Sequence, residues 1–104
     1  MKGGKARDNS GGARRQAAEA LAIAALSFLA ADAQRLGRFL AATGIGPERI
    51  REAARERGFL AGVLDHLAGD EELLVAFARQ AGIDPSELER ARVALGGVRR
   101  RDQP

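Results

Sequence analysis

One pattern of helix-starting and helix-ending residues occurs twice in the chain, at an offset of 38 residues, and it limits the possible folds more than any other feature. Residues 21–56 align with residues 59–94 without a gap. The matched pairs are Leu26/Leu64, Leu29/Leu67, Ala30/Ala68, Asp32/Asp70, Leu36/Leu74, Phe39/Phe77, Gly44/Gly82, Ile45/Ile83, Pro47/Pro85, Ala53/Ala91 and, conservatively, Ile50/Leu88. They fall on caps, turns and apolar positions at helical spacing, which chance similarity of composition does not readily produce. We therefore predict a tandem duplication of one three-helix unit.

The helix boundaries are marked by residues whose chemistry suits them. Aspartate at an N-cap accepts bonds from free first-turn amides, glycine adopts the left-handed C′ conformation without strain, and proline at the first helical position loses no hydrogen bond. The predicted N-caps are Asp32, Asp70 and Asp84, the C′ glycines are Gly44, Gly58, Gly82 and Gly96, and the first-turn prolines are Pro47 and Pro85. These signals predict helices over residues 13–30, 33–42, 47–57, 59–68, 71–81 and 85–95.

No stretch alternates like a strand, so we predict an all-α fold, a compact six-helix bundle of two tandem three-helix repeats with pseudo-two-fold symmetry. A unit of about 36 residues buries too little apolar surface to fold alone, so the two repeats should share one core. That core is predicted to contain Leu21, Leu26, Phe28, Leu29, Leu36, Phe39, Leu40, Ile45, Ile50, Phe59, Leu60, Leu64, Leu67, Leu74, Phe77, Ile83, Leu88 and Leu95. The single helical domain comprises residues 13–97, between flexible basic tails at residues 1–12 and 98–104.

The net charge of +3 is unevenly distributed along the chain. Residues 1–15 carry five cations and one acid, residues 96–104 carry three cations and one acid, and the segment between them is net negative. Basic tails of this kind neutralise phosphates without reading bases, so we expect only weak, non-specific binding of nucleic acid through them.

The composition also restricts the cellular setting. The chain has no cysteine, which suits a reducing cytoplasm and excludes disulfides and thiolate zinc sites. Its first residues lack the apolar core of a secretory signal, and its longest apolar stretch, residues 20–31, is too short to cross a bilayer. We predict a cytoplasmic protein without membrane association.

The segments from Ala20-Leu21 to Asp32, from Phe39-Leu40 to Pro47 and from Phe59-Leu60 to Gly96-Gly97 resemble a bacterial family of short all-helical proteins catalogued only as a domain of unknown function. The resemblance covers about Arg15 to Gly97. It implies a compact helical protein with no established activity, and it carries no functional residues to this chain.

The sequence contains no combination of residues typical of catalysis or metal binding. His66 is the only histidine, and Asp70, four residues later, is the one acid that could share its helix face. No glycine-rich loop follows a strand, so a phosphate cradle is not expected. We predict no catalytic, cofactor-binding or metal-binding residues, no cofactor and no enzymatic activity.

Three non-catalytic functions remain open. The first is a protein-interaction module of unknown partner, binding through an apolar groove or through the acidic surface around Asp70-Glu71-Glu72. The second is a helix-turn-helix nucleic-acid-binding protein, because the corner from Phe77 to Ala91 and its copy from Phe39 to Ala53 resemble that motif. The acids Glu87 and Glu89 weaken that interpretation for one corner, and Arg49 and Arg51 favour it for the other. The third is a structural or homo-oligomerising protein.

Overall fold

The structure consists of helices connected by short turns. The computed structural model describes the backbone of residues 2–96 and the side chains of residues 12–56 and 58–96. The elements are α1 (Lys2–Ala30), α2 (Ala33–Thr43), a 3-10 turn (Pro47–Arg49) that continues into α3 (Ile50–Ala53), α4 (Arg57–Ala68), α5 (Glu71–Ala81) and α6 (Pro85–Ala94). Every regular element in this part of the chain is helical, which confirms the predicted all-α fold of six helices.

The three capping aspartates start α2, α5 and α6 as predicted. The carboxylates of Asp32, Asp70 and Asp84 accept hydrogen bonds from first-turn amides at 2.9, 3.1 and 2.8 Å. The amide of Ser86 is the main reason that the pKa of the Asp84 carboxyl is lowered. Because these bonds satisfy amides that have no intrahelical partner, the positions of the caps fix where the helices begin.

Three of the four predicted C′ glycines end helices in the left-handed conformation, namely Gly44 at φ 75°, Gly82 at φ 70° and Gly96 at φ 95°. The prediction for Gly58 is wrong, because this residue lies within the first turn of α4. The predicted third helix over residues 47–57 is also too long. It ends at Ala53, and Ala54 after it keeps right-handed backbone angles. The amides of Arg55 and Glu56 form hydrogen bonds of a turn, so the helix ends without a left-handed glycine.

The two segments predicted to be flexible tails have different outcomes. The first helix begins at Lys2 instead of residue 13, so it includes the segment predicted to be a basic tail. The flexibility of that segment stays a prediction, and the C-terminal tail, residues 98–104, lies outside the described residues. Among the described helices, none is long and apolar enough by itself to cross a membrane.

The core is organised around α1 and α4. The first of these helices packs against α2, α4 and α6, and the second also contacts α5 and α6. The buried apolar residues that form the core cluster are Ala18, Ala22, Ala25, Phe28, Leu29, Phe39, Leu60, Ala61, Val63, Leu64, Leu67, Phe77, Leu88, Ala91 and Leu95. Small side chains on α1 let neighbouring helices approach closely, and most predicted large core residues are buried or packed against this cluster.

Two aromatic contacts join the halves at equivalent positions. The ring of Phe39 in α2 meets the ring of His66 in α4, with centroids 5.2 Å apart. The ring of Phe77 in α5 meets that of Phe28 in α1 at 5.4 Å. Both residues of the first contact are 38 positions from their counterparts in the second. Each second helix packs mainly on the first helix of its own half, and its phenylalanine ring also contacts the first helix of the other half. This arrangement is the one expected of a pseudo-two-fold, although the duplication itself stays a prediction.

The third helices of the two halves are not equivalent. Leu88 in α6 is 1% exposed, whereas its counterpart Ile50 in α3 is half-buried. Ile50 and Ile45 lie outside the core cluster, so their predicted core positions are wrong. The cause is chain connectivity. The helix α6 packs beside a stretch of α1 that begins at Arg14 and precedes the aligned repeat. The segment that precedes α4 is α3 itself, so α3 has no corresponding stretch of helix to pack beside.

This asymmetry predicts unequal costs for matched substitutions. We expect Leu88→Ala to lower the free energy of unfolding by about 2–5 kcal/mol, because it leaves a cavity in a closed core. We expect Ile50→Ala to cost roughly 1 kcal/mol or less, since little desolvated volume is lost at a half-exposed site. Urea unfolding followed by circular dichroism measures both values. Equal losses at the two positions would contradict the structural difference between α3 and α6.

Candidate interaction groove

An open groove of about 370 Å³ runs between α1 and α6. Its floor is formed by Ala17, Ala18, Leu21, Ala91 and Ala94, and its rim by Arg14, Glu87 and Arg90. The floor is apolar, and because four of its five residues are alanines, which extend only one carbon beyond the backbone, most of it leaves the space open. We refer to this surface as the α1–α6 groove.

Arg92 fixes α6, one wall of the groove, against α4. Its side chain is 8% exposed and donates hydrogen bonds to Asp65 of α4 at 2.9 Å and to Glu89 at 2.7 and 3.2 Å. The bonds with Glu89 are the largest cause of the raised pKa of Arg92, so the guanidinium stays charged. A guanidinium held in this planar geometry gives α6 a defined position on the bundle.

The role of Arg92 was not evident in the sequence. The only local signal is its spacing of three residues from Glu89, which allows an ion pair on one helix face. The contact with Asp65 joins residues 27 positions apart, and no short-range pattern indicates it.

The rim of the groove carries more positive than negative charge. Arg14 and Arg90 stand against Glu87, and all three side chains are exposed. This gives the groove a local charge of +1, although the second half of the chain is acidic as a whole. Exposed charges of this kind select partners and accelerate encounter more than they strengthen binding.

The predicted acidic surface is smaller than the sequence indicates. Asp70 and Asp84 cap helices, and Asp65 and Glu89 hold Arg92. What remains on α5 is a shallow surface formed by Glu71, Glu72, Val75, Ala76 and Arg79. Val75 is 41% exposed, one of two large apolar side chains exposed to this degree among the described residues. We call this surface the α5 face.

His66 serves as an aromatic packing residue. Its ring is half-buried and meets the ring of Phe39 edge to face, with the planes at 77°. Burial lowers the pKa of His66 from its ordinary value, and the charge of Asp70 opposes this shift without a hydrogen bond between the two described side chains. In the part of the chain with described side chains, no three His, Asp or Glu residues cluster so as to hold a metal ion.

The two predicted helix-turn-helix corners differ in shape. In the first corner the second helix is α3, which has a single α-helical turn after the 3-10 turn, with Arg49 and Arg51 exposed. In the second corner α6 buries Leu88, Ala91 and Arg92, and its exposed first turn carries Glu87. A recognition helix normally inserts its N-terminal residues into the major groove, where an acid would be repelled by phosphates. Glu87 therefore stands where the second corner would approach phosphates, and in the first corner the second helix has a single α-helical turn.

The lowered pKa of His66 predicts a pH-dependent stability. Because burial disfavours the charged imidazole in the folded protein, the unfolded chain binds a proton more readily, and stability decreases as the pH falls below roughly 6.5. We expect His66→Phe to remove this pH dependence. Phenylalanine is the residue at the aligned position 28, so the substitution keeps an aromatic ring at this site. Urea unfolding at several pH values between roughly 5.5 and 7.5 provides the comparison. A variant as pH-dependent as the wild type in this window would show that His66 is not the group responsible.

Comparison with known proteins bears on identity but not on chemistry. No curated protein and no solved structure matches the chain. The family described as "Protein of unknown function (DUF3572)" matches residues 15–98, a segment that contains the whole core and every residue of the α1–α6 groove except Arg14. The chain belongs to this family.

Proposed function

We propose that this protein is a non-catalytic protein-interaction module that binds a partner segment in the α1–α6 groove. The observation that carries the proposal is the combination of an apolar alanine floor with a charged rim, on a wall fixed by Arg92. Binding grooves in proteins commonly combine an apolar floor with a few polar groups that orient the ligand. A cytoplasmic location is part of this proposal, supported by the cysteine-free composition.

The groove indicates the chemistry of its partner. A floor made mostly of alanine leaves room for large apolar side chains such as leucine or phenylalanine. The arginines Arg14 and Arg90 on the rim favour acidic residues next to them. An amphipathic helix that presents apolar side chains with acids three or four positions away satisfies both requirements.

Nucleic-acid binding is the alternative function, and it has less structural support. The exposed Arg49 and Arg51 are interspersed with Glu48 and Glu52 on the same short segment, so this surface has no net positive charge from these residues. The cations predicted to bind phosphates lie at the chain ends instead.

Peptide selection tests the groove directly. We expect a displayed library of random peptides to yield sequences with apolar residues at helical spacing and flanking acids. Ala17→Trp should weaken binding of a synthesised hit at least tenfold, which corresponds to about 1.4 kcal/mol, because the indole occupies the groove. Isothermal titration calorimetry measures the affinities.

The matched control for that test is Ala20→Trp. Ala20 is an exposed alanine on α1 like Ala17, but it does not line the groove, so this variant should bind the peptide as the wild type does. Equal weakening by both substitutions, or selection of peptides without acids, would contradict the proposed site.

A DNA titration distinguishes the alternative function, nucleic-acid binding, from the proposed protein interaction. We expect weak binding to duplexes of unrelated sequence at low salt, abolished by deleting residues 1–12 and 98–104, because counterion release drives it. Fluorescence anisotropy at low and near-physiological salt measures the binding. Selective binding of one duplex by the trimmed chain at near-physiological salt, weakened by Arg49→Ala or Arg51→Ala, would favour helix-turn-helix recognition instead.

A further inference from the structure

We propose that the partner segment in the α1–α6 groove is the α5 face of a second copy of this chain. This inference rests on the proposed function and names the occupant of the same groove. It follows from the opposite properties of two separate surfaces on one molecule: a positively charged groove with an apolar floor, and a negatively charged helix face with an exposed apolar side chain.

The charges of the two surfaces are complementary. Two arginines and one glutamate form the rim of the groove, whereas two glutamates and one arginine form the α5 face. Glu71 and Glu72 occupy the first turn of α5, and Arg79 lies two turns later on the same exposed side. When like surfaces of two copies meet, their net charges repel, so the charge pattern favours the pairing of a groove with an α5 face.

The apolar parts of the two surfaces are also complementary. Val75 stands between the charged residues of the α5 face and is 41% exposed, although valine is usually buried. The alanines on the groove floor leave space for a branched side chain of that size. A helix laid over the groove between two helices packs in the same way as helices within a bundle.

Binding of one surface to a different surface on another copy is heterologous. In a dimer of this kind one copy keeps a free groove and the other keeps a free α5 face. Further copies can therefore add as the concentration rises, until a ring closes or an open chain of copies extends. A face of one helix covers less than the roughly 1,200 Å² of stable complexes, so we expect a weak and salt-sensitive association.

The test uses the full-length protein and two surface substitutions. Arg90→Glu reverses a charge of the groove and leaves the α5 face intact, and Val75→Glu disables the α5 face and leaves the groove intact. Both residues are exposed, so neither change removes a core contact. Arg51→Glu on α3 is the control, because it reverses an exposed arginine outside both surfaces. Circular dichroism verifies that all variants are folded.

Sedimentation velocity over a wide concentration range provides the readout. We expect the average mass of the wild type and of Arg51→Glu to increase with concentration, and we expect association of either single variant to be at least tenfold weaker. An equimolar mixture of Arg90→Glu and Val75→Glu should regain a two-chain complex, because it brings together one intact groove and one intact α5 face. Added salt should weaken the wild-type association.

Three results would overturn the inference. They are a wild type that stays monomeric at every concentration, variants that associate as strongly as the wild type, and a mixture that does not regain the complex.

Binding of the selected peptide distinguishes failure of this inference from failure of the proposed function. If the peptide still binds the wild-type groove while the chain stays monomeric, the groove takes another partner and only the second copy is excluded. If neither the peptide nor a second copy binds, both proposals fail.

Discussion

The exchange of aromatic contacts between the two halves is the interaction on which this fold depends. Phe39 packs on His66, and Phe77 packs on Phe28, so each second helix completes its packing against the first helix of the other half. A half of this size would expose these rings if it folded alone, and it could not offset its ordering entropy. The buried residues of the two halves form one cluster, in which α1 and α4 lie at the centre and α2 and α5 pack beside them.

Chain connectivity limits how symmetric this arrangement can be. The first helix extends ahead of the aligned repeat and gives α6 a long surface on which to pack. The corresponding chain ahead of α4 is already used as α3, so α3 has no such surface and remains short, with no buried residue. The α1–α6 groove results from this difference, because only α6 packs beside the alanine-rich stretch of an extended first helix. Two segments that align in sequence thus differ in the surface that their third helices form.

Local chemistry made much of the fold predictable from the sequence. The bounds of α5 were predicted to the residue, because Asp70 and Gly82 satisfy requirements of the backbone that lie within one helical turn. Gly58 was misassigned because a glycine also fits a first helical turn, and only the preceding turn at residues 54–56 shows which role it has. The incomplete burial of Ile50, the burial of Arg92 and the α1–α6 groove depend on contacts between residues far apart in sequence. No periodicity encodes such contacts.

The alanines that allow the bundle to close also determine what its surface can bind. Where alanine faces another helix, as at Ala22 and Ala25, the backbones approach and no space remains. Where the same kind of residue faces solvent between two helices, as at Ala17 and Ala94, it leaves a shallow apolar depression. A depression without deep pockets offers few sites for strongly bound anchor residues, so specificity must come largely from the rim charges. If the proposed function holds, this surface selects its partner by charge sign and binds it with modest affinity.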